Sequence, residues 1–199
     1  DARDRTVDAD NKYFWRMNSR RMEAEVVRDS VLYLSGQLDF TRGGPEIPET
    51  DGESVFRRSL YFRNTPNEKM GMLEVFDVAD PNSCYRRKES VVPHQSLAMM
   101  NSGLALDSAR LIAEQLSASD DDFVTAAFET VLSRRPTGEE VVRCETFLQQ
   151  HTQFLNDDAT EKFVAGGTAK RAPAADPGLR ARENLVHVLL LHNDFVTVR

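Results

Sequence analysis

Between Arg20 and Ser35 the apolar residues recur with a helical period, and Gly36 stands where such a helix would end in the left-handed conformation. On a helical wheel Met22, Val26 and Tyr33 form one edge of a broad apolar arc, with Val27, Val31 and Leu34 on the other. Glu23 and Ser30 interrupt the arc, and Arg21, Glu25, Arg28 and Asp29 crowd the opposite side. The Arg21–Glu25 spacing is that of an i,i+4 ion pair. Before this helix, residues 1–19 are polar apart from the aromatic knot Tyr13-Phe14-Trp15, which is expected to dock the terminus. After it, residues 41–54 carry Gly43-Gly44-Pro45, Pro48 and Gly52 and read as a loop. Residues 55–63 interleave aromatic and basic side chains in imperfect alternation and predict the one short strand.

From Lys69 onward the pattern is helical. A short helix to Phe76 is stopped by a turn over Asp77–Pro81. Pro93 suits the first turn of a helix through Met100. The next, Leu104 to Leu116, should bury Leu104, Ala105, Leu111, Ile112 and Leu116. Ser119-Asp120-Asp121-Asp122 gives an acidic, capped start to a helix that buries Phe123, Ala127, Phe128 and Val131. Thr137 and Glu140 have capping-box spacing and open a helix to about Leu155. Residues 156–178, with Gly166-Gly167, Pro173 and Pro177, read as a mobile loop. The last helix, Leu179 to His192, is apolar nearly all round in its second half and belongs at the centre of the core. The expectation is a single mainly α domain over residues 1–199, irregular and multi-helical, with one short β element.

Composition narrows the function classes. A net charge of −7 argues against general nucleic-acid binding, which needs a basic face. No apolar run approaches the roughly 20 residues of a membrane span. The opening Asp1-Ala2-Arg3-Asp4, without an initiator Met, reads as a piece cut from a longer protein. Cys84 and Cys144 could pair in an oxidising compartment or be two unrelated buried thiols. No Cys-x-x-Cys-His is present, so covalent haem attachment within this chain is not expected, and no other cofactor is indicated.

The most distinctive stretch runs from Met72 to Leu97. An apolar run ends in an acidic turn, three cations follow at Arg86, Arg87 and Lys88, and a Pro-started helix comes next. Charges between two apolar runs need partners within the fold or outside it. Arg86 and Arg87 could grip a carboxylate, sulfate or phosphate, aided by the helix N-terminus near His94, with Arg28 and Asp77 completing a polar pocket. The competing reading pairs these arginines with Glu25, Asp29, Asp77 or Asp80. Glu74, Asp77, Asp80 and Asn82 offer hard oxygens but lack the calcium-loop pattern, so they read as a turn and no metal site is expected. Ser90 and His94 are four apart without a Gly-x-Ser-x-Gly elbow and read as a polar helix start. His151, His187 and His192 lack metal spacing and read as structural or surface histidines. Tyr61 and Phe62, beside Arg57, Arg58 and Arg63, could face a ligand, although core packing is the simpler reading.

Four blocks resemble one family. Residues 20–39 are similar to its "RRLxAExxRDxxLxxSGxLD" signature, with Gly43-Gly44-Pro45 after it. Met72 to Asp77, Asp80-Pro81, Arg87, Ser90, Pro93 and Gln95 to Ala98 resemble a second block, Arg134-Arg135-Pro136-Thr137 a third, and Leu190 to Phe195 a fourth. The family is the C-terminal domain of unknown function of large planctomycete proteins, often accompanied by a planctomycete cytochrome c domain and a second domain of unknown function. The resemblance implies an exported, mostly helical domain and assigns no catalytic residues. Three functions remain open. The first is a non-catalytic accessory or scaffolding module that binds neighbouring domains or an acidic glycan through Arg86–Lys88. The second is part of a hydrolase or redox enzyme acting on extracellular carbohydrate, its site shared with an upstream domain. The third is a protein-binding helical domain with exposed apolar surface.

Overall fold

The computed structural model describes residues 2–83, 93–119, 122–156 and 168–198. The fold is mainly α. Helix α1 (Ala2–Val7) precedes strand β1 (Arg20–Arg21) and helices α2 (Ala24–Leu34), α3 (Gly71–Val75), α4 (Pro93–Asn101), α5 (Gly103–Ser117), α6 (Phe123–Leu132), α7 (Gly138–Asn156) and α8 (Pro177–Leu190). Strand β2 (Thr197–Val198) follows.

The core lies where α5 and α8 pack along each other, with α2, α6 and α4 around them and α7 against the outer side of α8. Leu104, Ala105, Ile112, Leu185, Val186, Leu189 and Leu190 are buried there, as the apolar run of the last helix predicts. Leu111 and Leu116 are only half-buried. The cap signals act as read. Asp122 accepts from the Val124 N–H, and Thr137 and Glu140 exchange bonds, Thr137 N–H to Glu140 Oε2 at 2.7 Å and Glu140 N–H to Thr137 Oγ1 at 3.3 Å. Phe123, Ala127, Phe128 and Val131 are buried on α6.

Three expectations are corrected. Arg20 and Arg21 belong to no helix: they pair antiparallel with Val198 and Thr197, and the Met22 N–H continues to the Val196 carbonyl. Arg21 therefore does not form the i,i+4 pair with Glu25; it donates to Gln95 Oε1 at 2.6 Å and Asn193 Oδ1 at 3.3 Å. Residues 55–63 are not a continuous strand. Parallel bridges Asp39–Arg57 and Ile47–Phe62 flank a 3₁₀ turn at Ser59–Tyr61, so the chain touches the 39–47 loop at two points and bends between them. Most of the aromatic knot does not dock, with Tyr13 85% and Phe14 80% exposed, and Trp15 alone turns in, half-buried, its Nε1–H donating to the Asp8 carbonyl at 2.8 Å. The N-terminal turn is organised by polar groups instead. Buried Asp8 accepts from the Lys12 and Tyr13 amides, and buried Asn11 bonds the Arg16 backbone and Asn18.

Residues 168–176, within the stretch read as a loop, are strapped across α5 and α8. Asp107 accepts from the Lys170 and Arg171 amides, Arg110 donates to the Arg171 carbonyl, and Glu183 accepts from the Ala174 amide. Burial raises the Glu183 pKa, against the pull of that amide and of Arg110, Arg171 and Arg180. Gly103 lets the strap sit this close: a Cβ there would lie 2.5 Å from the Thr168 carbonyl carbon and 2.7 Å from the Ala169 nitrogen. Gly103→Ala should destabilise the fold by about 1–3 kcal/mol, since backbone must move to admit the methyl group. A fall of several degrees in the thermal midpoint checks this, and an unchanged midpoint would mean that the strap is not seated.

Candidate functional site

Arg28 and Asp29 sit side by side on α2 and hold the loop that follows. Arg28 is 0% exposed. Its Nε donates to Gly52 O, Nη1 to Arg57 O and Ser59 Oγ at 3.1 Å each, and Nη2 to Gly52 O at 2.9 Å and Val55 O at 2.6 Å. All five guanidinium N–H groups are thereby used, and the plane lies 4.8 Å from the Phe62 ring centroid. Burial lowers its pKa to about 10 while Asp29 pulls it upward, so it is charged at neutral pH. Asp29 accepts from the Ser59 amide at 2.8 Å and faces Arg58 at 3.6 Å. The wheel places Arg28 on the solvent face; the 52–59 loop folds over that face and turns it into interior. Arg28 has no donor left for a ligand, which corrects its place among the ligand-binding candidates.

Asp77 and His94 are the other described candidates. Asp77 is half-buried and adopts φ +62° at the C-terminal end of α3, where it ends the helix. His94 is exposed on the first turn of α4. Arg86, Arg87, Lys88, Ser90 and Cys84 lie outside the described residues. Cys144 is half-buried on α7, where burial raises its thiol pKa. Asp80 accepts from the Asn82 amide in an ordinary turn, and no His, Cys, Asp and Glu grouping among the described residues could hold a metal. His151 stacks between Phe147 and Phe154 and bonds Asn184 at 2.7 Å, while His187 lies 3.3 Å from the Met99 carbonyl. Tyr61 lies under Arg57 and Phe62 is buried in the core beneath Arg28, so the aromatic residues of 55–63 serve packing.

What sequence reasoning missed is a cavity of about 500 Å³ where the first, third and fourth blocks meet. Block one supplies Met22, Ser30, Tyr33 and Leu34 from α2 and the residue after β1. The end of α6 supplies Thr130, Val131 and Leu132, then Ser133 and Arg134. The C-terminal segment supplies Asp194, Phe195, Thr197 and Val198. Ser133 ends α6 at φ +53°, and the chain reversal it makes turns Arg134 back over the Phe128 ring, 5.2 Å from its centroid.

Arg134 is clamped. It donates from Nε to Asp194 Oδ2 at 2.9 Å, and from Nη1 and Nη2 to the two oxygens of Glu140 at 2.9 and 2.7 Å. Nη1 also reaches the Arg135 carbonyl at 3.2 Å, which leaves one Nη2 hydrogen unpaired among the described residues. Arg134 and the Thr137 amide hold the Glu140 carboxyl down at about 2, and the same pairing raises the arginine pKa. Two carboxylates face this one guanidinium, so the cavity has no surplus positive charge among the described residues. The hydroxyls of Ser30, Tyr33, Thr130 and Ser133 make no side-chain hydrogen bond with any described residue. The signals present in the sequence were the Arg134-Arg135-Pro136-Thr137 and His192-Asn193-Asp194 blocks, although nothing local shows that Arg134 meets Asp194.

Among the described residues no helix is long and apolar enough to cross a membrane. Neither curated proteins nor solved structures yield a match to this chain. One family model does match, over residues 1–148, which takes in the first three blocks and stops before the fourth. The chain therefore belongs to PSD1, the family described as protein of unknown function (DUF1553).

Proposed function

We propose that this domain is a non-catalytic accessory module of a larger exported bacterial protein, of the planctomycete kind that the sequence blocks resemble, and that it works by binding. The observation that supports this reading is the inward commitment of its ionic groups. Arg28 spends all five donors on the 52–59 loop, and Arg134 spends four on Glu140, Asp194 and its own neighbour's carbonyl. Charges so used organise surfaces, whereas a reaction centre needs an acid, base or nucleophile turned toward a substrate. The partner would be a neighbouring domain of the parent protein or a glycan, with the Arg86–Lys88 cluster as the anionic option.

The test is thermal unfolding of the chain with sulfated, carboxylated and neutral glycans, and with divalent cations against a chelator control. A ligand at about a hundred times its dissociation constant adds about 2.7 kcal/mol, a clear rise in midpoint for a domain of this size. A rise with acidic glycans that Arg87→Ala abolishes would assign the anionic option. Turnover of any of these glycans by the purified chain would sink the non-catalytic reading.

A further inference from the structure

From the chemistry of the 500 Å³ cavity we infer that it is a binding site for a neutral, polyhydroxylated ligand, a sugar ring or short neutral oligosaccharide. The inference rests on the reading of the chain as a binding module and names the ligand class of one site on it.

Size is the first support, since small-molecule sites occupy roughly 300–1,000 Å³. The second is the split character of the wall. Met22, Leu34, Val131, Leu132 and Phe195 supply an apolar side, while the hydroxyls of Ser30 and Tyr33 on α2 and of Thr130 and Ser133 at the end of α6, with the spare Arg134 hydrogen, supply the polar one. A sugar ring divides in the same way, into C–H faces that seek apolar or aromatic surface and hydroxyl edges that both donate and accept. Hydroxyls suit such an edge because each can donate or accept as the ligand requires. Tyr33, 63% exposed, stands at the wall with its ring edge-on to Phe40 at 6.4 Å and offers an aromatic surface to a ring entering from solvent.

Charge selects among sugars. Arg134 is already shared by Glu140 and Asp194, so a sulfate or carboxylate brought here would face two carboxylates with no further cation among the described lining residues. A neutral ligand meets no such repulsion. Rigidity is the third support: the bidentate Glu140 clamp and the Asp194 bond fix Arg134 before any ligand arrives, so little ordering is left for binding to impose.

The experiment is a ¹H–¹⁵N NMR titration of the chain with neutral oligosaccharides built from glucose, galactose, mannose or xylose, each beside a sulfated counterpart. The expected result is saturable shifts at Ser30, Tyr33, Thr130 and Ser133 with at least one neutral sugar and weaker or no shifts there with its sulfated form. Tyr33→Ala and Thr130→Val together should weaken that binding by about tenfold or more, each removing a ligand contact. Tyr33 is exposed and Thr130→Val preserves volume, so the amide spectrum of the doubly substituted chain should retain its dispersion. Should that variant fail to fold, Tyr33→Phe alone, which removes only the hydroxyl, replaces it with an expected loss of about threefold or more. No cavity shift with any neutral sugar at tens of millimolar overturns the inference, as does unchanged affinity in a folded variant. Binding of sulfated sugars alone, lost in Arg87→Ala, overturns the inference while the module reading survives. Sugar cleaved or oxidised during the titration overturns the module reading itself.

Discussion

Arg28→Ala should remove about 3–5 kcal/mol of folding stability, the largest single-residue loss expected in this protein. The substitution strands the carbonyls of Gly52, Val55 and Arg57 and the hydroxyl of Ser59 in a space closed to water, and takes the cation off the Phe62 ring. Against a total of about 5–15 kcal/mol for a typical domain, that could consume a third or more. Relief from burying a charge offsets part of the loss, which is why the expected value is not higher. Arg28→Lys should recover less than half, because an ammonium has three donors and no planar fork. Urea unfolding followed by circular dichroism measures this, with a midpoint expected to fall by roughly 1.5–2.5 M for a slope near 2 kcal/mol/M. A loss under about 1 kcal/mol would show that the 52–59 loop holds its course without Arg28.

The Arg134 clamp should give the fold an acid-sensitive step. Glu140 has its pKa lowered to about 2 from an ordinary value of 4.5, with the Arg134 side chain as the main cause. A carboxyl depressed in the folded state binds fewer protons there than in the unfolded chain. Its contribution is therefore complete above about pH 4.5 and is lost as pH falls toward 2. The side chain is 30% exposed, so solvent screening trims the effect to about 1–2 kcal/mol. Glu140→Gln should be less stable than the parent at pH 7 and converge with it near pH 2, and urea midpoints across that range give the comparison. Parallel curves for the two proteins would place the acid response elsewhere. Glu140→Ala should cost more, since it also removes the acceptor of the Thr137 amide and with it half of the capping box.

Both predictions bear on function. Arg28 commits all its donors to the 52–59 loop, so its variants should be judged on stability first. Arg134 lines the cavity, so loosening it through Glu140 would alter the wall that Ser133 and Thr130 share.

Much of this was legible locally. The Gly36 stop, with φ +72°, the Asp122 cap and the Thr137–Glu140 box each involve residues within a few positions of one another, so the sequence carries their whole cause. The apolar end of α8 likewise marked itself as core, because nearly every face of that helix avoids water. Arg28 was misplaced for an equally physical reason. Helical periodicity assigns faces to one helix alone and cannot register a later loop that closes over its polar side. The same limit hid β1, where two arginines follow a helical pattern yet are drawn into pairing with a segment more than 170 positions away. The cavity stayed hidden for the same reason, since Arg134 and Asp194 stand 60 positions apart along the chain.

What the sequence by itself determined is the class of the fold, the capped ends at Gly36, Asp122 and Thr137, and the side of most helices that seeks the core, since short-range capping and the 3.6-residue period decide these. Tertiary structure alone decided that Arg28 is interior, that residues 168–176 are strapped over Gly103, and that Ser30, Tyr33, Thr130, Arg134 and Asp194 share one cavity. Each of these depends on which distant segments meet, and such meetings are set by the packing of the whole chain rather than by any pattern along it.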